Sequence, residues 1–83
     1  MTITVRYFAS LREKLGPEER VMWRQGLTLA SLRDALIAKG ADHASVLTRE
    51  RAVRCALNQQ MSGEEALIPD DAEVAFFPPV TGG

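Results

Sequence analysis

The sequence predicts an α+β fold, in which a mixed β-sheet carries one main helix packed on one of its faces. Two alternating apolar–polar segments, each typical of a strand, precede the single long amphipathic segment of the chain, and further alternating segments follow it. The 83 residues, 46% of them hydrophobic and 25% charged, suit one small globular domain. A hairpin, a helical crossover and more strands therefore form the simplest arrangement.

The first half of the chain predicts the hairpin and the main helix. Thr2–Tyr7 and Glu19–Arg24 alternate between apolar and polar residues, which predicts two strands. Phe8–Leu15, between them, is predicted to form a short helical turn that ends at a Gly-Pro pair. Leu27–Lys39 is predicted to be the main helix, because Thr28 is a favourable N-cap and leucines follow at helical spacing.

The second half predicts the rest of the sheet. Ala44–Arg51 is predicted to hold a short helix, and Val53–Leu57 alternates as a strand. A turn then leads to Met61, which is predicted to lie on a short edge strand, and Glu73–Phe77 is predicted to be the last strand. This order is that of a ubiquitin-like β-grasp fold, in which the last strand lies inside the sheet beside the first.

The end of the chain predicts a reactive tail. Residues 1–77 form the β-grasp domain in this prediction, and residues 78–83 form a flexible tail, because Pro78 and Pro79 have no N–H groups with which to continue a strand. The two terminal glycines lack Cβ atoms, so the tail can enter a narrow partner site with the Gly83 carboxylate accessible. A frayed terminus is the alternative, but it does not explain the prolines.

Composition excludes several classes of function. A formal net charge of −1 argues against a nucleic-acid-binding protein. No apolar run approaches the ~20 residues of a membrane span, and no signal peptide is visible, so we expect a cytoplasmic protein. The single cysteine cannot form an internal disulfide, which fits that location.

Side chains that could act as catalysts are scarce. Cys55 lies on the apolar face of a predicted strand, where a thiol behaves as a small hydrophobic group. His43 is predicted to be an exposed loop residue, and no His or Cys stands at metal-ligand spacing from it. We therefore expect no metal site, and we expect a partner to supply the catalyst for any reaction of the tail.

The segment Glu73–Gly83 (EVAFFPPVTGG) resembles the C-terminus of the molybdopterin synthase small subunits, a family of sulfur-carrier proteins. The resemblance covers essentially the whole chain. Its upstream matches are Phe8-Ala9, Arg12-Glu13, Thr28-Leu29 and Leu57-Asn58-Gln59. One turn departs from the family, which usually has Asp-Gly-Asp-Glu before the last strand, because Asp71 occupies the glycine position here. Aspartate tolerates a left-handed backbone better than most residues, so the turn is expected to persist.

The resemblance implies a function. An ATP-dependent, ubiquitin-activating-like enzyme adenylates the terminal carboxylate, and sulfur from a persulfide donor converts it to a thiocarboxylate. The large catalytic subunit of molybdopterin synthase then uses this sulfur to convert cyclic pyranopterin monophosphate to molybdopterin, in the biosynthesis of the molybdenum cofactor. Two small and two large subunits are expected in the complex. The chain itself is expected to bind no cofactor and to have no catalytic activity alone.

The resemblance also implies the site residues. The reacting end comprises Gly83, which carries the sulfur, and Gly82, which gives clearance. The partner interface implied by the family comprises Phe8, Arg12, Met61, Phe77, Pro78, Pro79, Val80 and Thr81.

Three alternatives stay open at this point. A ubiquitin-like modifier would form isopeptide bonds to lysines, and a sulfur carrier for thiamine, cysteine or tRNA thiolation would change only the final enzyme. A non-reactive interaction module would not need its terminal glycines.

Overall fold

Our computed structural model describes residues 1–79. The predictions for Val80, Thr81, Gly82 and Gly83 lie outside the described residues. Within residues 1–79 the elements, in chain order, are β1 (Thr2–Tyr7), α1 (Ala9–Leu15), β2 (Glu18–Met22), α2 (Leu29–Ile37), α3 (Ala41–Leu47), β3 (Arg54–Leu57), β4 (Gln60–Met61) and β5 (Glu73–Phe77). None of the helices in this part of the chain is long and apolar enough to cross a membrane.

The strands form one mixed sheet in the order β2-β1-β5-β3-β4. β5 runs parallel to β1, and the β1–β2, β3–β5 and β3–β4 pairs are antiparallel. The prediction of an α+β β-grasp sheet is confirmed, including the place of the last strand beside the first. Because β5 has a neighbour on each side, both of its backbone edges are used in hydrogen bonding.

One face of the sheet forms the core together with the helices. Val5, Tyr7, Val74 and Phe76 alternate along β1 and β5, and each is at most 1% exposed. The leucines of α2 that were predicted to form its apolar stripe pack against this face, and they are Leu29, Leu32 and Leu36. The apolar side chains that recur every second residue on the strands and every 3.6 residues on α2 thus pack together in a single core.

The start of α2 is fixed by the predicted N-cap. The Thr28 Oγ1 atom accepts a hydrogen bond of 3.1 Å from the Ser31 backbone N–H, and the Ser31 hydroxyl accepts one of 2.9 Å from the Thr28 N–H. The helix is shorter than predicted, since it begins at Leu29 and ends at Ile37. A reciprocal cap of this kind satisfies two N–H groups that the helix itself leaves without partners.

The structure corrects the prediction for His43. α3 begins three residues earlier than the predicted helix, at Ala41 rather than Ala44, so His43 lies in a helix and not in an exposed loop. Its ring is half-buried, with Nε2 2.7 Å from the Glu19 carboxylate and the ring edge toward Tyr7. These contacts come from elements distant in sequence, which the local pattern could not reveal.

Two turns place side chains in the left-handed region. Asn58 and Gln59, between β3 and β4, have φ values of +48° and +71°, as expected for a tight hairpin turn. Asp71, before β5, has a φ of +66°. The aspartate therefore adopts the backbone conformation for which the family uses glycine, as predicted.

Candidate functional site

The carboxyl ends of β1 and β5 meet at one edge of the sheet, where the C-terminal segment begins. The two strands are parallel, and Tyr7 lies opposite Phe76. The Phe8 backbone N–H donates a hydrogen bond of 3.2 Å to the Phe76 carbonyl, which holds the two chain segments together just beyond that pair. Arg54, at the start of β3, lies opposite Phe77 on the other side of β5. These contacts fix the base from which the segment after Phe77 leaves the domain.

The side of the sheet turned away from the helices is called here the open face. Since the odd-numbered residues of β1 and the even-numbered residues of β5 are buried, the alternate residues point to the open face. The strand register then places Arg6, Ala75, Ala56 and Met61 in one row across four strands. Phe77 belongs to the next row, closer to the edge where the C-terminal segment begins.

The open face brings together three residues that the resemblance implied for partner binding. Phe8 is 37% exposed and Met61 is 60% exposed, while Phe77 is half-buried. Phe76, the neighbour of Phe77 on the same strand, is only 1% exposed. The core alone does not account for the exposed phenylalanine and methionine, because neither is covered by the helices.

The other described site residues lie on α1 and directly after β5. Arg12 is exposed on α1, the helix that follows Phe8 directly. Pro78 and Pro79 are half-buried and outside regular secondary structure. The chain turns from β1 into α1 through Ala9, whose φ of +55° is unusual for a residue with a side chain. This sharp turn places Phe8 and α1 together at the base of the C-terminal segment.

Two arginines on the open face were missed by the sequence analysis. Arg6 contacts the Phe8 ring, with 5.6 Å between the guanidinium carbon and the ring centroid. Arg54 is exposed and lies opposite Phe77. The i, i+2 spacing of Arg6 and Phe8 across the end of β1 could have indicated Arg6, because the Phe8 backbone is also extended. The place of Arg54 depends on the register between β3 and β5.

Cys55 is the one cysteine of the chain, and its surroundings make it a weak nucleophile. Cys55 is 5% exposed, its thiol lies 3.5 Å from the Ser62 carbonyl oxygen, and burial raises the pKa of the thiol. A thiol that stays protonated and buried is a poor nucleophile. Within residues 1–79, no group of three His, Cys, Asp or Glu side chains could hold a metal ion.

The polar cluster around Glu19 is structural. The Glu19 carboxylate accepts a hydrogen bond of 2.7 Å from the Tyr7 hydroxyl, and it also contacts His43 and Lys39. Burial by itself raises the pKa of Glu19, but the hydrogen bonds from Lys39, Tyr7 and His43 outweigh this effect and lower the pKa to about 2. The ionised carboxylate thus links β2 to β1 and to the helical layer, away from the open face.

The sheet order, the single helical layer and the open face beside the chain end define a small ubiquitin-like protein of the β-grasp class. Comparison with known protein families matches residues 5–83 to the ThiS family. The chain belongs to the ThiS family.

Two relatives match nearly the full length of the chain. The molybdopterin synthase sulfur carrier subunit of Haemophilus influenzae is 33% identical over 81 residues, which are 98% of this chain and 99% of the relative. The protein of the same name from Escherichia coli gives the same identity and coverage. The family identified from the sequence is thus confirmed, and the similarity extends through the domain as well as the terminal motif.

Solved structures support the fold. Small archaeal modifier protein 1 of Haloferax volcanii has a TM-score of 0.76 at 23% identity, with 95% of this chain and 98% of that chain covered. A chain in the complex of subunits 1 and 2 of the molybdopterin-converting factor from Helicobacter pylori has a TM-score of 0.69 at 21% identity, with both chains fully covered. These TM-scores, at nearly full coverage of each chain, establish a shared β-grasp fold.

Proposed function

We propose that this protein is the sulfur carrier subunit of a molybdopterin synthase. The observation that carries the proposal is the 33% identity, over 98% of the chain, to proteins named as sulfur carrier subunits of that enzyme. The partner in this proposal is the large catalytic subunit, in a complex of two small and two large subunits. A structural relative that was solved as a complex of subunits 1 and 2 of the molybdopterin-converting factor supports such a partner.

The described structure suits this role in two ways. β5 is held between β1 and β3, so the segment that follows Phe77 starts from a rigid base. The open face beside this base exposes apolar side chains of Phe8 and Met61 that a partner can cover. A carrier that visits an activating enzyme and then a synthase subunit can use this one face for both partners.

The proposed chemistry takes place at Gly83. A terminal carboxylate with an ordinary pKa of about 3.5 is ionised at neutral pH and is a poor electrophile. The activating enzyme uses ATP to convert it to an acyl-adenylate, and pyrophosphate leaves. A persulfide sulfur displaces AMP, and cleavage of the resulting acyl persulfide by a thiol leaves the thiocarboxylate. The large subunit then accepts this sulfur for cyclic pyranopterin monophosphate, and two charged carriers are used for each dithiolene formed.

The roles of the last six residues follow from this chemistry. Gly82 and Gly83 leave space around the reacting carbonyl, because neither has a Cβ atom. Pro78 and Pro79 restrict the backbone at the start of the segment. In the proposed complex, Val80 and Thr81 lie against the partner's entrance, and Arg12 lies at the rim of the docking surface.

The test is the mass of the C-terminal peptide after incubation with the cognate activating enzyme, ATP and a sulfur donor. We expect an oxygen-to-sulfur exchange that fragmentation places on Gly83. Whole-protein mass is not sufficient, because oxidation of Met1, Met22 or Met61 produces nearly the same change. A chain without the two terminal glycines serves as the control and should gain no sulfur.

The same experiment separates the proposal from its alternatives. Sulfur on Gly83 together with formation of molybdopterin by the added large subunit supports the synthase role. Sulfur on Gly83 without transfer to cyclic pyranopterin monophosphate indicates a carrier for another thiolation pathway. High-mass conjugates through lysine isopeptide bonds indicate a protein modifier. An unmodified Gly83 in the presence of an active enzyme contradicts every carrier reading.

A further inference from the structure

The Arg6 side chain on the open face has few partners within residues 1–79. Its Nε atom is buried, yet it has no hydrogen-bond partner in this part of the chain. The Glu18 and Glu73 carboxylates each lie 3.8 Å from a guanidinium nitrogen, which is within ion-pair range but too long for a hydrogen bond. A guanidinium has five N–H donors, so its capacity for hydrogen bonding is largely unused here.

Arg33, on α2 at the helical side of the molecule, has many more hydrogen-bond partners than Arg6. The Arg33 Nε atom donates a hydrogen bond of 2.7 Å to the Leu47 carbonyl, and Nη1 donates one of 2.8 Å to the Glu64 carboxylate. Its Nη2 atom donates to two further backbone carbonyls, those of Thr48 and Arg51. This chain therefore provides acceptors where an arginine has a structural role, and it provides far fewer for Arg6.

The surroundings of Arg6 suit binding of an anionic side chain from a partner protein. The Phe8 ring lies over the guanidinium, and Ala75, opposite Arg6 on the adjacent strand, has a small side chain. Arg54 lies on the same face, and its positive charge offsets part of the negative charge of Glu18 and Glu73 there. When a partner covers this face and excludes water, an ion pair with Arg6 becomes stronger, because the local dielectric constant falls.

We propose that the large subunit, in docking on the open face, presents an Asp or Glu carboxylate to the Arg6 guanidinium beside Phe8. The proposal rests on the proposed function, because that function identifies the partner. A carboxylate matches the planar fork of arginine in a bidentate geometry and supplies the acceptors that residues 1–79 do not. Arg6 thereby selects partners with an acidic residue at the centre of their docking surface.

The test is calorimetric titration of the cognate large subunit with the full-length chain at low and physiological ionic strength. Arg6→Leu should weaken binding by about tenfold or more and flatten its dependence on salt. Arg20→Leu is the matched control, because it removes the same charge from the same face on the outer strand β2. We expect a change of about twofold or less for this control.

Each outcome decides the proposal. Arg6→Lys should fall between the wild type and Arg6→Leu, since it keeps the charge and loses the fork. If Arg6→Leu binds as tightly as Arg20→Leu, or more tightly than the wild type, the carboxylate contact is refuted and the proposed function stands. If the wild-type chain does not bind the large subunit, both proposals fail. If thermal unfolding shows that Arg6→Leu is not folded, Arg6→Gln replaces it in the same titration and is judged by the same comparison with Arg20→Leu.

Discussion

Phenylalanine and arginine side chains occur on both sides of the sheet, but their contacts differ between the two sides. Toward the helices, Phe76 is 1% exposed and Arg33 donates hydrogen bonds to one carboxylate and three backbone carbonyls. On the open face, Phe77 is half-buried and the nearest carboxylates to Arg6 are 3.8 Å away. On the helical side the ring is buried and each guanidinium nitrogen donates a hydrogen bond. On the open face the ring stays partly exposed and the guanidinium Nε atom lacks a hydrogen-bond partner within residues 1–79.

Within one small sheet, different residues therefore contribute to the stability of the fold and to the binding of partners. Residues whose contacts are complete stabilise the fold, because their removal leaves cavities or unpaired polar groups. Residues whose contacts are incomplete add little to the stability of the free domain, and they contribute favourable free energy only when a partner binds. Adjacent positions on β5 should therefore respond differently to substitution, and the following predictions test that expectation in order of decreasing effect on stability.

Phe76→Ala should produce the largest loss of stability. The ring is fully enclosed between the sheet and the helices, so its truncation leaves a cavity in the core. We expect the free energy of unfolding to fall by about 3–5 kcal/mol, as measured by urea denaturation. A loss below about 1 kcal/mol would show that the core rearranges to fill the space, and the contrast between the faces would weaken.

Arg33→Met should lower the free energy of unfolding by about 3 kcal/mol, because it leaves three carbonyls without their buried donor. Methionine keeps most of the apolar stem, so the loss reports mainly on the guanidinium. Arg54→Met on the open face is the matched control, and a change within about 0.5 kcal/mol is expected there. Equal effects of the two substitutions would contradict the distinction between the faces.

Glu19→Gln should remove part of the pH dependence of stability. The pKa of Glu19 is lowered from 4.5 to about 2 in the folded protein, so the ionised carboxylate stabilises the fold above pH 4.5. That contribution is lost progressively as the pH falls from 4.5 toward 2. We expect the wild type to exceed the variant by on the order of 1–2 kcal/mol at neutral pH and by much less at acid pH. Urea denaturation across this pH range measures the difference, which should not stay constant.

Phe77→Asp should have the smallest effect on stability and a large effect on binding. A side chain on the open face leaves no core cavity when it is replaced, so the free energy of unfolding should change by less than about 1 kcal/mol. Binding to the large subunit should weaken by at least about thirtyfold, as for a buried interface hot spot. Leu67→Asp is the control, because Leu67 is 66% exposed and lies outside the open face. Destabilisation on the scale of Phe76→Ala would show that Phe77 belongs to the core.

Local sequence patterns predicted much of this arrangement. Alternation along β5 assigned Phe76 and Phe77 to opposite faces, and the structure buries the first and places the second on the open face. The N-cap at Thr28 was also predicted correctly, and the left-handed backbone at Asp71 agrees with the expectation drawn from the family resemblance. These features depend on residues close together in the chain, where backbone geometry leaves few possibilities.

The polar clusters could not be predicted in the same way. Tyr7 and Glu19 are 12 residues apart, His43 and Glu19 are 24 apart, and Arg33 and Glu64 are 31 apart. No local periodicity links such pairs, because their contacts follow from how the elements pack. For this reason His43 was predicted to be an exposed loop residue, and the contacts of Glu19 and Glu64 were not predicted. The position of Arg6 between the Glu18 and Glu73 carboxylates likewise depends on the pairing of β1 with β2 and β5.

The position of β5 between β1 and β3 also has a mechanical consequence. A force applied to Phe77 along the axis of β5 would pull on a strand that has a neighbour on each side. Its backbone hydrogen bonds to both neighbouring strands lie across that axis, so they are loaded in shear and share the load. An edge strand pulled in the same way would have such hydrogen bonds on one side only. β5 should therefore resist such a force better than an edge strand of the same length.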